Sequence, residues 1–523
     1  DSSVAELNAT SKLVKAWESK NAKNAAKAGG ISLMALSLAA CGGSSTTTTT
    51  TTTSTTDTAT PAASTMTLTS GIDSAAGGAG NDTINAGLDS GGNQTLTSLD
   101  SISGGEGTDT MNVVMKANAT PASTAVEKFV VSTSAAATLD MLGSTGVTSI
   151  TNQASTDTLT VSNITGDVAL TLSSTDQGGT FNFDTAGALA AQTVNVSSVT
   201  GGTLTVGTTG AVTLNSQGAA NSVTLSSSAT SLKVTGAENL TLAGTTSQTT
   251  VDASGATGAF TMTSDGTKAV SITGSAGADT ITMTGSNLLT DTISLGDGAD
   301  KVTFTAKLDD ADIVDGGDGT DTIVGISADV RALTSEATTS NITNFETLQI
   351  SDQLNGNLDV SEVQEDGIST VSLAHASAAA AGIISGGHTI TGEAGAFTVN
   401  IGKSLAGNDS TLGNTLTISD GADNTTTTDA LTVNNTGINS TTGKNIILTN
   451  NITSTGYENV TFNTGAGSGN TEQTMATFTV TADAATAATT LTITGSNAVD
   501  VTTAVSTNST AGITVDGSGL TVQ

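Results

Sequence analysis

Two nine-residue runs could do chemistry by composition and spacing. Gly77-Gly78-Ala79-Gly80-Asn81-Asp82-Thr83-Ile84-Asn85 and Gly104-Gly105-Glu106-Gly107-Thr108-Asp109-Thr110-Met111-Asn112 both fit the pattern G-G-x-G-x-D-x-U-x. A third fit begins at Gly316-Gly317-Asp318-Gly319-Thr320-Asp321. Gly274-Ser275-Ala276-Gly277-Ala278-Asp279 and Gly296-Asp297-Gly298-Ala299-Asp300 are close variants. Glycine allows positive φ and a tight turn, so backbone carbonyls can point inward. The aspartate supplies charge on a short side chain that stays near the turn. Together such oxygens can surround Ca²⁺, which accepts six to eight of them in a flexible shell; Mg²⁺ demands strict octahedral geometry and suits the pattern less well.

The spacing extends the candidate ligand set. Asp73, Asp100, Asp291 and Asp312 each lie nine residues before a motif aspartate, namely Asp82, Asp109, Asp300 and Asp321. Asp279, Asp300 and Asp321 follow one another at intervals of 21. Such regularity puts carboxylates in register on successive turns of a coil. The expected metal residues are therefore these nine aspartates together with Gly78, Gly80, Gly105, Gly107, Gly296, Gly298, Gly317 and Gly319. Asp420-Gly421-Ala422-Asp423 and the run from Gly495 to Asp500 read as plain turns.

The elements that must position these turns are short strands. From about residue 66 onward, runs such as Thr193-Val194-Asn195-Val196 and Ala211-Val212-Thr213-Leu214 alternate apolar with polar residues and are bounded by Gly, Asn, Ser and Asp. Period-two alternation means half-buried strands. No amphipathic helical stretch of useful length is expected after residue 65, apart from Ala374 to Ala381. Nine Phe, one Tyr and one Trp in 523 residues are too few for a string of β-sandwich cores. A narrow coil tolerates Val, Leu, Ala and Thr. The expected fold is all-β, a parallel β-solenoid (β-helix or β-roll) with calcium-binding turns, preceded by a short N-terminal helix.

Charge excludes several functions. Lys and Arg number 14 against 47 Asp and Glu, a net of −33. An acidic chain repels phosphate backbones, so nucleic acid is excluded as a partner. One Cys excludes a disulfide framework or a Cys-rich metal site. His375 and His388 are the only histidines and show no triad arrangement in the sequence; Arg331 is the only Arg. The chain reads as non-enzymatic, with no small-molecule substrate.

The first 41 residues differ from the rest: five Lys against three acids. Ser3-Val4-Ala5-Glu6 fits a capping box opening a helix, and Gly29-Gly30 ends it. Ile31 to Ala40 is apolar but shorter than the ~20 residues needed to span a bilayer. Four segments result: a helical head or anchor at 1–41, a Thr-rich linker at 42–65, and solenoid regions at 66–290 and 291–523, both with nonapeptide-like repeats.

The nonapeptides resemble the RTX calcium-binding repeats of secreted Gram-negative proteins. The wider layout is similar to RTX-type surface-layer (S-layer) proteins, in which Gly-Asp clusters alternate with Thr/Ala/Val-rich solenoid stretches. Four related strand openings add to the likeness: Val126-Glu127-Lys128-Phe129, Ala237-Glu238-Asn239-Leu240, Phe345-Glu346-Thr347-Leu348 and Tyr457-Glu458-Asn459-Val460. Leu38-Ala39-Ala40-Cys41 followed by Gly42-Gly43 resembles a bacterial lipoprotein signal, which makes Cys41 a lipidation candidate.

The resemblance implies a calcium-stabilised structural protein of the cell exterior, associated with the outer membrane. It would self-assemble into a surface layer or coat and attach to the envelope through residues 1–41. Two other readings fit the residues: a bacteriophage fibre or capsid/tail decoration protein on the virion surface, attached by the same head, and a surface adhesin.

Overall fold

The structure is a computed structural model. It describes residues 61–521, apart from 174–179, 186–190, 208–209, 286–288, 334–340, 361–362, 364–366, 375–381, 393–394, 403–413, 422–427, 438–450, 466–472 and 483–485. The head, Cys41, most of the Thr-rich linker, His375, Asp423 and the Ala-rich stretch beyond Ala374 lie outside the described residues.

Alternation becomes a coil because each short strand hydrogen-bonds not to its chain neighbour but to the equivalent strand one turn on. All strand pairings among the described residues are parallel, as in Thr83–Ala86 against Thr110–Met115 and Lys301–Phe304 against Thr322–Gly325. A 14-stranded sheet runs from Thr65–Thr67 to Ile342–Thr343. A second long sheet runs from Ala137–Asp140 to Ile513–Leu520. Two smaller sheets complete the coil at its ends: a four-stranded one from Ser74–Ala76 to Ser144–Thr145, and a six-stranded one from Leu358–Asp359 to Val499–Thr507. The chain is thus the parallel β-solenoid read from the sequence, with the sheets taking over from one another along it. Pairing continues through residues 290 and 291: Ile272 faces Ile293, and Met283 faces Phe304. The two solenoid regions therefore share continuous sheets.

The core is a set of one-residue-wide apolar columns. Ile84, Met111, Phe129, Ile150, Leu170, Val194, Leu214 and Val234 stand opposite one another in register and are all buried. On the second sheet, Ile281, Val302, Ile323, Leu348, Val371, Val399, Val433 and Phe462 form another. Each buried side chain of this size contributes roughly 1.5–3 kcal/mol, and each coil buries its face only against its neighbours. Between the columns, outward residues are half-exposed Thr, Ser and Asn. Some of these also stack: Asn112 Nδ2 donates to Asn85 Oδ1 at 3.1 Å, and Asn215 Nδ2 to Asn195 Oδ1 at 2.9 Å.

One element departs from the sequence expectation. Ser327–Leu333 is a seven-residue α-helix, burying Ser327, Val330 and Leu333 at three-residue intervals. The backbone N–H of Ser327 donates to Asp352 Oδ1 at 2.6 Å. Two turns of helix fall below the length at which periodicity distinguishes a helix from a strand.

Candidate metal centre

The Gly-rich runs are the bends between sheets. Gly77 to Asp82 joins Ser74–Ala76 to Thr83–Ala86, and Gly316 to Asp321 joins Ile313–Asp315 to Thr322–Gly325. Each motif aspartate stands one residue before its strand, so strand register stacks the aspartates directly.

The stacking is made by a specific bond. Asp82 donates its backbone N–H to Asp109 Oδ1 at 2.7 Å, across 27 residues. In the second cluster Asp279 N–H donates to Asp300 Oδ1 and Asp300 N–H to Asp321 Oδ1, each at 2.7 Å across 21 residues. The starting rungs receive Ser64 N–H at Asp82 Oδ1 (2.6 Å) and Phe260 N–H at Asp279 Oδ1 (2.7 Å). One carboxylate oxygen per rung is therefore engaged in holding coil to coil.

The second oxygen separates the rungs. Asp82 Oδ2 accepts Gly78 N–H and Asp279 Oδ2 accepts Ser275 N–H, both at 2.6 Å. At Asp109, Asp300 and Asp321, the Oδ2 atom is buried and has no hydrogen-bond partner. A buried carboxylate oxygen left unpaired is costly unless a cation meets it.

The glycines explain how other oxygens come close. Gly105, Gly107, Gly296, Gly298, Gly317 and Gly319 all have positive φ. A Cβ on Gly105 would lie 2.1 Å from Gly78 O, and one on Gly317 would lie 2.0 Å from Gly296 O. Carbonyls of one coil thus press onto the glycine of the next, a place no side chain can share. Gly78 and Gly80 differ, since neither has positive φ. Gly78 has open space where a Cβ would be, whereas Gly80 is needed for close approach, with Ala62 O 2.5 Å from its Cβ position.

Asp73, Asp100, Asp291 and Asp312 form separate columns. Asp73 N–H donates to Asp100 Oδ1 and Asp291 N–H to Asp312 Oδ1, both at 2.9 Å. These aspartates precede strands of other sheets than the motif aspartates of their own cluster. The remaining oxygens of Asp73, Asp100 and Asp312 are taken by the backbone N–H groups of Thr69, Thr97 and Asp309. These carboxylates serve their own turns first, and the motif column holds the unpaired oxygens.

Electrostatics agrees. Burial pushes the Asp300 carboxyl up to about 7, with the like charges of Asp279, Asp321 and Asp297 adding to it. Burial likewise raises Asp312 to about 6 and raises Asp279, Asp291 and Asp321. In the first cluster Asp82 is held below its ordinary value by the N–H donors of Gly78 and Ser64. Stacked, desolvated carboxylates resist carrying charge unless a cation is present. Among the described residues, no three His, Cys, Asp or Glu side chains gather on one point. Such a site takes one or two carboxylates and otherwise carbonyl oxygens: a hard, oxygen-only donor set that fits Ca²⁺.

Residues 66–90 and 97–113 match the family profile of the RTX calcium-binding nonapeptide repeat (4 copies). Those repeats are calcium-binding motifs. The matched residues take in the rungs Asp82 and Asp109, and the same bond and the same unpaired oxygen recur at Asp300 and Asp321. No curated protein matches the chain.

Four further residues hold rungs: Glu127, Glu346, Asp429 and Glu458. Asp109 N–H donates to Glu127 Oε2 at 2.7 Å, and Asp321 N–H to Glu346 Oε2 at 2.6 Å. Asp429 accepts Gly395 N–H at 2.7 Å and donates its own to Glu458 Oε2 at 3.3 Å. The shared form of the Glu-bearing strand openings is the signal in the sequence, where it adds to the family likeness without marking the Glu as a rung. His388 is also better placed than its sequence suggested: Ser385 Oγ lies 3.2 Å from its Nε2, a local contact within Ser-Gly-Gly-His.

Proposed function

We propose that the chain is a structural protein of the cell exterior, a calcium-stabilised solenoid that self-assembles into a surface layer or coat. The observation that carries this reading is the buried, unpaired oxygens in two aspartate stacks, Asp109 in one and Asp300 and Asp321 in the other, beside glycine turns. That arrangement gains cohesion when Ca²⁺ is abundant, as outside the cell, where weak sites of ~10⁻⁴ to 10⁻³ M suffice. Two long parallel sheets with half-exposed Thr, Ser and Asn faces support a scaffold role over a catalytic one. Residues 1–41 are assigned the attachment to the envelope, with Cys41 as the lipidated residue.

Assembly is the test. Purified full-length chain, dialysed into millimolar Ca²⁺ and imaged by negative-stain electron microscopy, is expected to form sheets or ordered arrays that disperse with chelator. Monodisperse particles under both conditions would remove the surface-layer reading. Mass spectrometry of the native protein tests the anchor: lipid on Cys41 supports it, while an unmodified head found on a capsid or tail would place the protein on a virion.

A further inference from the structure

Both Gly-Asp stacks end in the same way, and the ending contains no nonapeptide. After Asp109 the next coil turns through Ala125-Val126-Glu127; after Asp321 it turns through Asn344-Phe345-Glu346. Ala125 and Asn344 are non-glycine residues at positive φ, 51° and 59°. Val126 and Phe345 are fully buried and fix the turn to the core. Glu127 and Glu346 then stand in register with the aspartates, because Thr110 faces Lys128 and Thr322 faces Thr347.

The backbone around the two endings matches bond for bond. Gly104 N–H donates to Thr124 O and Lys128 N–H to Asp109 O, each at 2.9 Å. The counterparts, Gly316 N–H to Thr343 O and Thr347 N–H to Asp321 O, are each 3.0 Å. Between these paired bonds, Ala125 O lies 1.8 Å from the Cβ position of Gly104, and Asn344 O lies 2.0 Å from that of Gly316. The Cβ position of Gly104 is also 2.3 Å from Asp109 Oδ2. A carbonyl and a carboxylate oxygen therefore converge on the flank of Gly104, whereas at Gly316 the carbonyl is joined by Asp321 Cβ, 3.1 Å from the Cβ position. That Asp109 oxygen, like Asp321 Oδ2, is buried and has no partner.

Resting on the calcium reading above, we propose that Glu127 and Glu346 are the closing cation ligands of the two stacks. Each glutamate gives Oε2 to the backbone, as an aspartate rung gives Oδ1. Its remaining oxygen is assigned the part that Oδ2 plays in an aspartate rung. The donor set of the closing site is then Asp109 Oδ2, Ala125 O and Glu127 Oε1 in the first stack, and Asp321 Oδ2, Asn344 O and Glu346 Oε1 in the second. The ligand class is a hard divalent cation, Ca²⁺. The extra methylene of Glu lets a short turn without the Gly-rich run reach the column. The next coil presents Thr148 and Ser369, which carry no charge, to the carbonyls of Glu127 and Glu346, so the column stops there.

The test uses Glu127→Gln and Glu346→Gln in the full chain. Glutamine still accepts the backbone N–H but carries no charge. Ca²⁺ binding by isothermal titration calorimetry is expected to lose one site per substitution, or to weaken that site tenfold or more. The melting temperature in chelator is expected to stay unchanged. Ca²⁺ titrations of both variants identical to wild type would overturn the inference, leaving the glutamates as backbone caps. Wild-type chain that binds no Ca²⁺ would instead overturn the underlying calcium reading. Should a variant misfold, wild-type chain labelled with ¹³C-carboxylate Glu answers directly. Its infrared carboxylate band is expected to shift on Ca²⁺ addition; an unmoved band would overturn the inference.

Discussion

The backbone N–H of Asp300 donates to Asp321 Oδ1 at 2.7 Å, while Asp321 Oδ2 stays buried and unpaired. One carboxylate thus divides its oxygens: one ties coil to coil, and the other is left for the cation that the proposed function requires.

Asp300→Asn separates the two roles. The amide oxygen keeps accepting Asp279 N–H, but the charge is gone. Calcium is expected to bind at least tenfold more weakly at this rung, equivalent to ~1.4 kcal/mol. In chelator near neutral pH the variant is expected to melt no lower than wild type, because it relieves repulsion from Asp279, Asp321 and Asp297. Paired thermal melts, with calcium and with chelator, check both halves.

The calcium-free protein carries its own pH signature. Asp300 and Asp312 have carboxyls raised to about 7 and about 6 by burial. The folded state binds these protons more tightly than the unfolded state. The associated stability is fully present below the ordinary carboxylate range and is lost as pH rises through 6 and 7. Urea unfolding in chelator is therefore expected to give falling stability from pH 5 to 8. Asp89, held down to about 2 by Asn93, is ionised in folded and unfolded states alike across that range and leaves the slope unchanged. With saturating Ca²⁺ the slope is expected to flatten or invert.

Two glycines of the same motif position are expected to respond differently. Gly317→Ala forces a side chain into positive φ and against Gly296 O, and should cost at least about 1–2 kcal/mol. Gly78→Ala meets open space without positive φ and should fall within about 0.5 kcal/mol of wild type. Denaturant midpoints compare the two.

Core columns are expected to be unforgiving. Phe129 is fully buried between Met111 and Ile150. Phe129→Ala should lower stability by ~3–5 kcal/mol through lost burial and a cavity. Leu142, 74% exposed, should tolerate Ser with little change. Calorimetric unfolding distinguishes them.

Much of the fold was legible because a solenoid is written locally. Alternation in Thr193-Val194-Asn195-Val196 gives a half-buried strand, and the 21-residue spacing of Asp279, Asp300 and Asp321 gives a coil register. The Gly-Asp identities also pointed to calcium. What the pattern hid was geometric. Glu127 and Glu346 continue the aspartate column by position, not by motif, since a longer side chain on a shorter turn reaches the same place. Asp429 lacks Gly-rich company and read as nothing. Conversely, Asp73 and Asp100 shared the spacing of the ligands but direct their oxygens to backbone N–H groups, which spacing alone does not reveal. The helix Ser327–Leu333 was too short to show a period.

The most direct measurement is the melting temperature of the full chain against free Ca²⁺. Each site at ten times its dissociation constant contributes ~1.4 kcal/mol. The melting temperature is expected to climb through ~10⁻⁴ to 10⁻³ M Ca²⁺, to fall back with chelator, and to respond far less to equal Mg²⁺. A melting temperature unmoved by calcium across that range would contradict the account.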